Sequence, residues 1–212
     1  MAIESILALD LATAVGFARW RSPLSFASGN KLLPKTGADV GQFVSKFATW
    51  FTDLITVDRP TLVVFEAPLM TDQRNLETAR KLLGLAVMVE YLCKVAGVEA
   101  LEVKIPDVRS HFLGNGFGKH ALRRPGELKQ WQAIRRMTFE ACNRKGWNPE
   151  TDDEGDAFAV LDYAAHCLRT RVRVSWDAQP AGVWSEGPDG KLRLVGPYGA
   201  AGDLPGLVPA LT

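Results

Sequence analysis

Four carboxylates, far apart along the chain, sit where regular structure would aim them at one point. Asp10 ends the apolar run Ile6-Leu7-Ala8-Leu9, and Glu66 ends a second, Leu62-Val63-Val64-Phe65. Asp153 and Asp156 open an apolar stretch within Asp152-Asp153-Glu154-Gly155-Asp156-Ala157-Phe158-Ala159. An acid closing a buried strand is costly unless something compensates its charge, and several together are best compensated by a divalent cation. Residues three apart on a helix share a face, so Asp153 and Asp156 can address one target; Asp152 and Asp156, four apart, can do so too. Each acid alone has a plainer use, in a helix cap or in a turn at a strand end. Their conjunction is what points to chemistry. Together they supply oxygen ligands for two Mg²⁺ ions, with Mn²⁺ able to substitute. Two such ions, about 3.5–4 Å apart, would stabilise both the attacking water and the leaving oxygen of a phosphodiester.

A substrate of that kind needs positive charge nearby. The segment Lys104–Lys145 holds ten Lys and Arg residues against Asp107, Glu127 and Glu140, a net of +7 in a chain whose total is +1. It also contains the mobile-looking stretch Gly114-Asn115-Gly116-Phe117-Gly118 and the aromatics Phe112, Phe117 and Trp131. Basic side chains interleaved with aromatics suit a phosphate backbone with stacking bases, although a solvated helix face would also look basic. Arg109, Phe117, Lys119, Arg123, Arg124, Lys129, Arg135 and Arg136 are the expected DNA contacts. No Ser/His/Asp arrangement or P-loop competes for the chemistry, and His111, His120 and His166 stand at no metal-ligand spacing.

The elements that must position these groups are legible in outline. With 212 residues, 47% of them apolar, the chain can bury one sizeable core. Strands are expected at 5–10, 15–20, 24–30, 61–66 and 98–104, with helices at 39–57, 75–96, 127–145 and 153–171 and another starting at Pro106. Strands paired early and then alternating with helices imply an α/β fold with a mixed sheet covered by helices. A nuclease-like domain over 1–174 would be followed by a Gly- and Pro-rich extension over 175–212, holding a short hairpin or an irregular tail. Three cysteines without CxxC spacing read as buried thiols, and no apolar run approaches membrane-spanning length. A cytoplasmic location is expected.

The order Asp10, Glu66, Asp153, Asp156 resembles the RuvC-type Holliday junction resolvases of the ribonuclease H-like superfamily. In that family a first-strand Asp, a Glu ending the fourth strand and an Asp-x-x-Asp pair opening the last helix form the metal site. Here the matching text is Ile6-Leu7-Ala8-Leu9-Asp10 with Gly16, Val63-Val64-Phe65-Glu66, and Asp153-Glu154-Gly155-Asp156-Ala157-Phe158-Ala159. The resemblance spans roughly residues 3–172. It implies a five-stranded mixed sheet flanked by helices, two Mg²⁺ ions, and a homodimeric, structure-selective DNA endonuclease that cuts four-way junctions symmetrically. It also implies a catalytic lysine in the segment from Val108 to Gly114, where this chain has Arg109. Lys129 is the better candidate for the second catalytic lysine, and Lys119 the alternative.

Three departures from the family pattern stand out. Leu11-Ala12 follows the first Asp where the family commonly has Pro-Gly. Pro68-Leu69-Met70 replaces an aromatic that follows the Glu, and the 119–128 stretch and the tail after about residue 174 have no family counterpart. A divergent phage or prophage version, acting in a bacterial cytoplasm, fits these differences best. The same acids would serve a nuclease for flaps, other branches or RNA-containing structures. Two readings of another class are an actin-like or sugar-kinase-type ATP-binding protein and a catalytically silent DNA-binding module. The former needs a second Asp-Gly-rich phosphate motif, which is missing.

Overall fold

Side-chain alternation decides how the layers form. β1 (Ser5–Asp10) lies at the centre of the sheet, with its apolar residues buried on both faces. It pairs antiparallel with β2 (Ala14–Arg21), which pairs antiparallel with β3 (Ser25–Leu32). On its other side β1 runs parallel to β4 (Leu62–Glu66), and β4 runs parallel to β5 (Glu99–Val103). The order β3-β2-β1-β4-β5 is the mixed five-stranded sheet that the sequence leads one to expect. The computed structural model describes residues 5–21, 25–37, 39–68, 76–114 and 130–168, and the backbone alone of four short C-terminal strands.

Successive strand residues point to opposite faces, so each strand feeds two cores. Leu7, Leu9, Val63 and Phe65 pack against α1 (Val40–Asp58) through Phe43, Phe47, Phe51 and Ile55, and against α2 (Leu76–Ala96) through Leu85, Val89 and Cys93. Ile6, Ala8, Ala18, Trp20, Leu62 and Val64 face the other way, toward α3 (Ile105–Leu113), α4 (Gln130–Arg144) and α5 (Asp152–Leu168). Asp10 and Glu66 continue the even-numbered series. Period two therefore sends both carboxylates to the α5 side.

The C-terminal strands extend this plan. β6 (Val183–Glu186) and β7 (Leu192–Gly196) form the expected hairpin, and β8 (Gly199–Gly202) adds a third antiparallel strand. The two-residue β9 (Val208–Pro209) returns to the main sheet and pairs antiparallel with the edge of β5. The Gly- and Pro-rich composition hid this edge pairing, which only distant residues can supply.

α3 is held against α5 by a charged clamp. The nearly buried Asp162 carboxylate lies 3.0 Å from His111 Nε2 and accepts from Lys145 Nζ at 3.0 Å. Burial by itself would raise Asp162, but the His111 hydrogen bond and the Lys145 charge together hold it below the ordinary carboxylate value. Removing one partner of a buried pair costs about 3–5 kcal/mol, and the Lys145 side chain is 38% exposed, which lowers that figure. We expect Asp162→Asn to destabilise the protein by about 2 kcal/mol in urea unfolding at neutral pH. A group with a depressed folded pKa stabilises above its unfolded value near 4 and loses that contribution on acidification. The difference between wild type and Asp162→Asn should therefore narrow below about pH 4; a gap that widens there would contradict the clamp.

Candidate active site

One row of residues crosses four strands and ends beneath the start of α5. The sheet register sets Asn30 of β3 opposite Gly16 of β2, and Gly16 opposite Asp10 of β1. Leu9 is opposite Phe65, so the next step of the parallel ladder brings Asp10 beside Glu66 of β4. Both acids stand at the carboxyl ends of parallel strands, the side of an open α/β sheet where ligands are bound.

The first turn of α5 is seated directly on this row. A Cβ on Gly16 would lie 1.9 Å from the Asp153 carbonyl oxygen, so only glycine permits the backbone approach. From the end of the row, Asn30 Nδ2 donates to Asp153 Oδ2 at 3.0 Å. Asp153 and Asp156 thus face the strand acids, and the four carboxylates share one electrostatic neighbourhood. Asp10 is driven well above the ordinary range by burial, then by Glu66, Asp156 and Asp153; Arg109 acts in the opposite direction. Burial, and then Asp156, pushes Glu66 up to about 8. Burial also raises Asp156 and Asp153, against the pull of Arg109 and Arg135 on the first and of Asn30 and Arg135 on the second.

The remaining acids of the run are engaged elsewhere. Asp152 forms an ion pair with Arg135, whose guanidinium also lies over the Trp131 ring at 5.2 Å. Glu154 caps its own helix. Its carboxylate accepts from the Thr151 and Glu150 N–H groups at 3.2 and 2.7 Å, while Thr151 Oγ1 accepts from the Glu154 N–H at 3.2 Å. This reciprocal pair is a capping box, and its Thr-x-x-Glu signature is readable from sequence.

Of the basic residues expected to contact DNA, Arg109 is the cation facing Asp10, Glu66 and Asp156, and Arg135 is the half-exposed partner of Asp152. Arg136 pairs along its own helix with Glu140 at 3.3 Å. Phe117, Lys119, Arg123, Arg124 and Lys129 lie outside the described residues. Among the aromatics, Phe112 is buried and stacks on Trp147, whereas Trp131 is 47% exposed. Asn30 was not foreseen, because nothing in Ser25–Leu32 marks which polar strand residue will reach a helix 123 positions away.

The donor set consists of hard carboxylate oxygens, desolvated and mutually repelling, which is the chemistry that Mg²⁺ or Mn²⁺ prefers. Among the described residues no three His, Cys, Asp or Glu side chains stand close enough together to hold one metal ion. The mutual repulsion of the carboxylates is what a bound cation would relieve.

No family model matches the sequence, and no curated protein matches it either. Solved structures do. RuvC of Thermus thermophilus, in complex with a Holliday junction substrate, superposes with a TM-score of 0.54 at 14% identity, over 79% of this chain and 95% of that one. A second Thermus thermophilus RuvC structure gives 0.53 at 15% identity, over 79% and 95%. The yeast mitochondrial Holliday junction resolvase Ydc2 gives 0.50 at 12%, over 77% and 78%. The fold is RuvC-like. No helix among the described residues is long and apolar enough to cross a membrane.

Carboxylates raised by burial stabilise the fold below their ordinary pKa and lose that contribution as pH rises through the folded value. For Glu66 that window runs from 4.5 to about 8. Metal-free protein should therefore lose thermal stability steadily between about pH 5 and 8, and Glu66→Gln should flatten much of the slope. A wild-type melting temperature that rises over this range would show that burial does not raise these acids as described.

Proposed function

We propose that this chain is a structure-selective DNA endonuclease that hydrolyses phosphodiesters at four-way junctions with two bound Mg²⁺ ions. The observation that carries this reading is the convergence of Asp10, Glu66, Asp153 and Asp156 in one desolvated field at the carboxyl ends of central strands. The RuvC-like fold supports it. When bound there, the ions would supply the charge that lowers the pKa of the attacking water and stabilises the leaving oxygen. Asp10, Glu66, Asp153 and Asp156 would hold them.

The chain's own cations complete the proposed site. Arg109 faces three of the acids and is suited to hold a substrate phosphate through its planar fork of donors. Lys129, and the basic side chains Lys119, Arg123, Arg124, Arg135 and Arg136, would follow the DNA backbone, with Lys129 assisting catalysis. Phe117 and the exposed Trp131 would offer stacking faces to unpaired bases. Residues 1–174 would form the nuclease domain and 175–212 an extension. Both would act in the cytoplasm of a bacterial cell.

We further infer a homodimer. Leu76, Leu83, Val87, Tyr91 and Val95 project from one side of α2 at spacings of seven and four, and are 69, 43, 60, 59 and 68% exposed. An apolar stripe of this length is rarely left to water. A second copy of the chain would cover it and give two active sites for two symmetric cuts.

Labelled four-way junctions, flaps and duplex, incubated with Mg²⁺ or with EDTA, test the activity. Paired nicks on junctions are expected, with Asp10→Asn and Asp156→Asn each slowing them more than about a hundredfold, equivalent to about 3 kcal/mol of charge stabilisation. Cleavage indifferent to EDTA and to Asp10→Asn would sink the proposal, and preferred cutting of flaps would reassign the substrate. Light scattering at micromolar concentration should give a dimer, and Val87→Glu with Tyr91→Glu a folded monomer. A monomeric wild type would exclude the α2 interface.

A further inference from the structure

The run from Asp152 to Asp156 offers more acids than one site can use, and each has a different partner. Asp152 turns to Arg135, Glu154 to its own helix end, and Asp153 to Asn30. We propose that Asn30 and Arg135 are positioning residues that select Asp153, in place of Asp152, as the metal-binding acid beside Asp156. This deepens the nuclease reading and rests on it.

The geometry is specific. Adjacent residues on a helix point about 100° apart, so Asp152 and Asp153 cannot both face the strand acids. Gly16 lets the Asp153 backbone settle against β2, which fixes where that residue sits. A carboxylate with two oxygens still has free choices of rotamer, and the Asn30 amide removes them by occupying one oxygen and leaving the other for a ligand. On the neighbouring position Arg135 holds Asp152, and the Trp131 ring beneath the guanidinium steadies Arg135. Asn30 lies on the same sheet row as Asp10, so the sheet that carries the strand acid also carries the register that orients the helix acid. Groups that orient a metal ligand this way are worth about 10–100-fold in metal affinity or activity.

Mn²⁺ binding, followed by calorimetry on the full chain, and junction cleavage under saturating Mg²⁺ would be measured side by side. Asn30→Leu, which keeps the shape and removes the donor, should weaken Mn²⁺ binding and slow cleavage by about 10–100-fold while junction affinity in EDTA is unchanged. Asp153→Asn should behave alike, and the double variant Asn30→Leu/Asp153→Asn should be no worse than Asp153→Asn alone. Asp152→Asn should bind Mn²⁺ within about twofold of wild type. Circular dichroism and urea midpoints of the variants separate misplacement of Asp153 from loss of the fold.

Losses for Asn30→Leu and Asp153→Asn that multiply would overturn the inference, as would an Asp152→Asn variant as damaged as Asp153→Asn. In either case a wild type that binds Mn²⁺ and cuts junctions leaves the nuclease reading standing. A wild type that binds no Mn²⁺ and cuts nothing overturns both.

Discussion

Two carboxylates that close adjacent parallel strands repel one another and lack the water that would screen them, and much of the molecule's layout answers that repulsion. β1 and β4 are buried on both faces, and Asp10 and Glu66 close them side by side beneath the start of α5. Burial, more than neighbouring charge, is the leading cause of the rise at both residues. Of the basic side chains, Arg109 is the one that opposes it at both. A fold would not retain such an arrangement for stability, since replacing the acids would relieve it. A divalent cation bound there would relieve it.

The first turn of α5 shows how a short acidic run can be divided among separate tasks. Its capping box satisfies the helix end with Thr151 and Glu154, so neither Asp153 nor Asp156 is needed there. Gly16 removes the side chain that would hold the helix off the sheet. Asn30 and Arg135 then take one acid each. On the far side of the same helix, Asp162 ties down His111, two residues from Arg109 on α3. α5 therefore binds the site together from both faces: it presents acids to the sheet and anchors the element that carries the opposing cation.

The outward surfaces differ in kind. α1 and α2 cover one face of the sheet with Phe43, Phe47, Phe51, Leu85 and Val89, and α2 leaves a second apolar stripe facing water. On the other face α4 presents Trp131 and Arg135 beside the acids. The exposed apolar stripe of α2 and the Trp131–Arg135 pair thus lie on opposite sides of the sheet.

Local pattern was enough for the strands and the helices. Period two in Ile6–Asp10 and Leu62–Glu66 places both carboxylates on one face, and the Asp-x-x-Asp spacing places two more on one side of a helix. Those inferences need only neighbours along the chain. What residue types could not reveal is which partners Asp152 and Asp153 take, that Asn30 is one of them, or that the start of α5 rests on Gly16. Those depend on the β1–β2–β3 register and on a backbone approach between residues 137 positions apart, which no local propensity encodes. The return of Val208–Pro209 to the β5 edge is of the same kind. The sequence by itself determined the elements and the residue types they carry; the tertiary structure decided the partners, because hydrogen bonds and desolvation act between residues that only folding brings together.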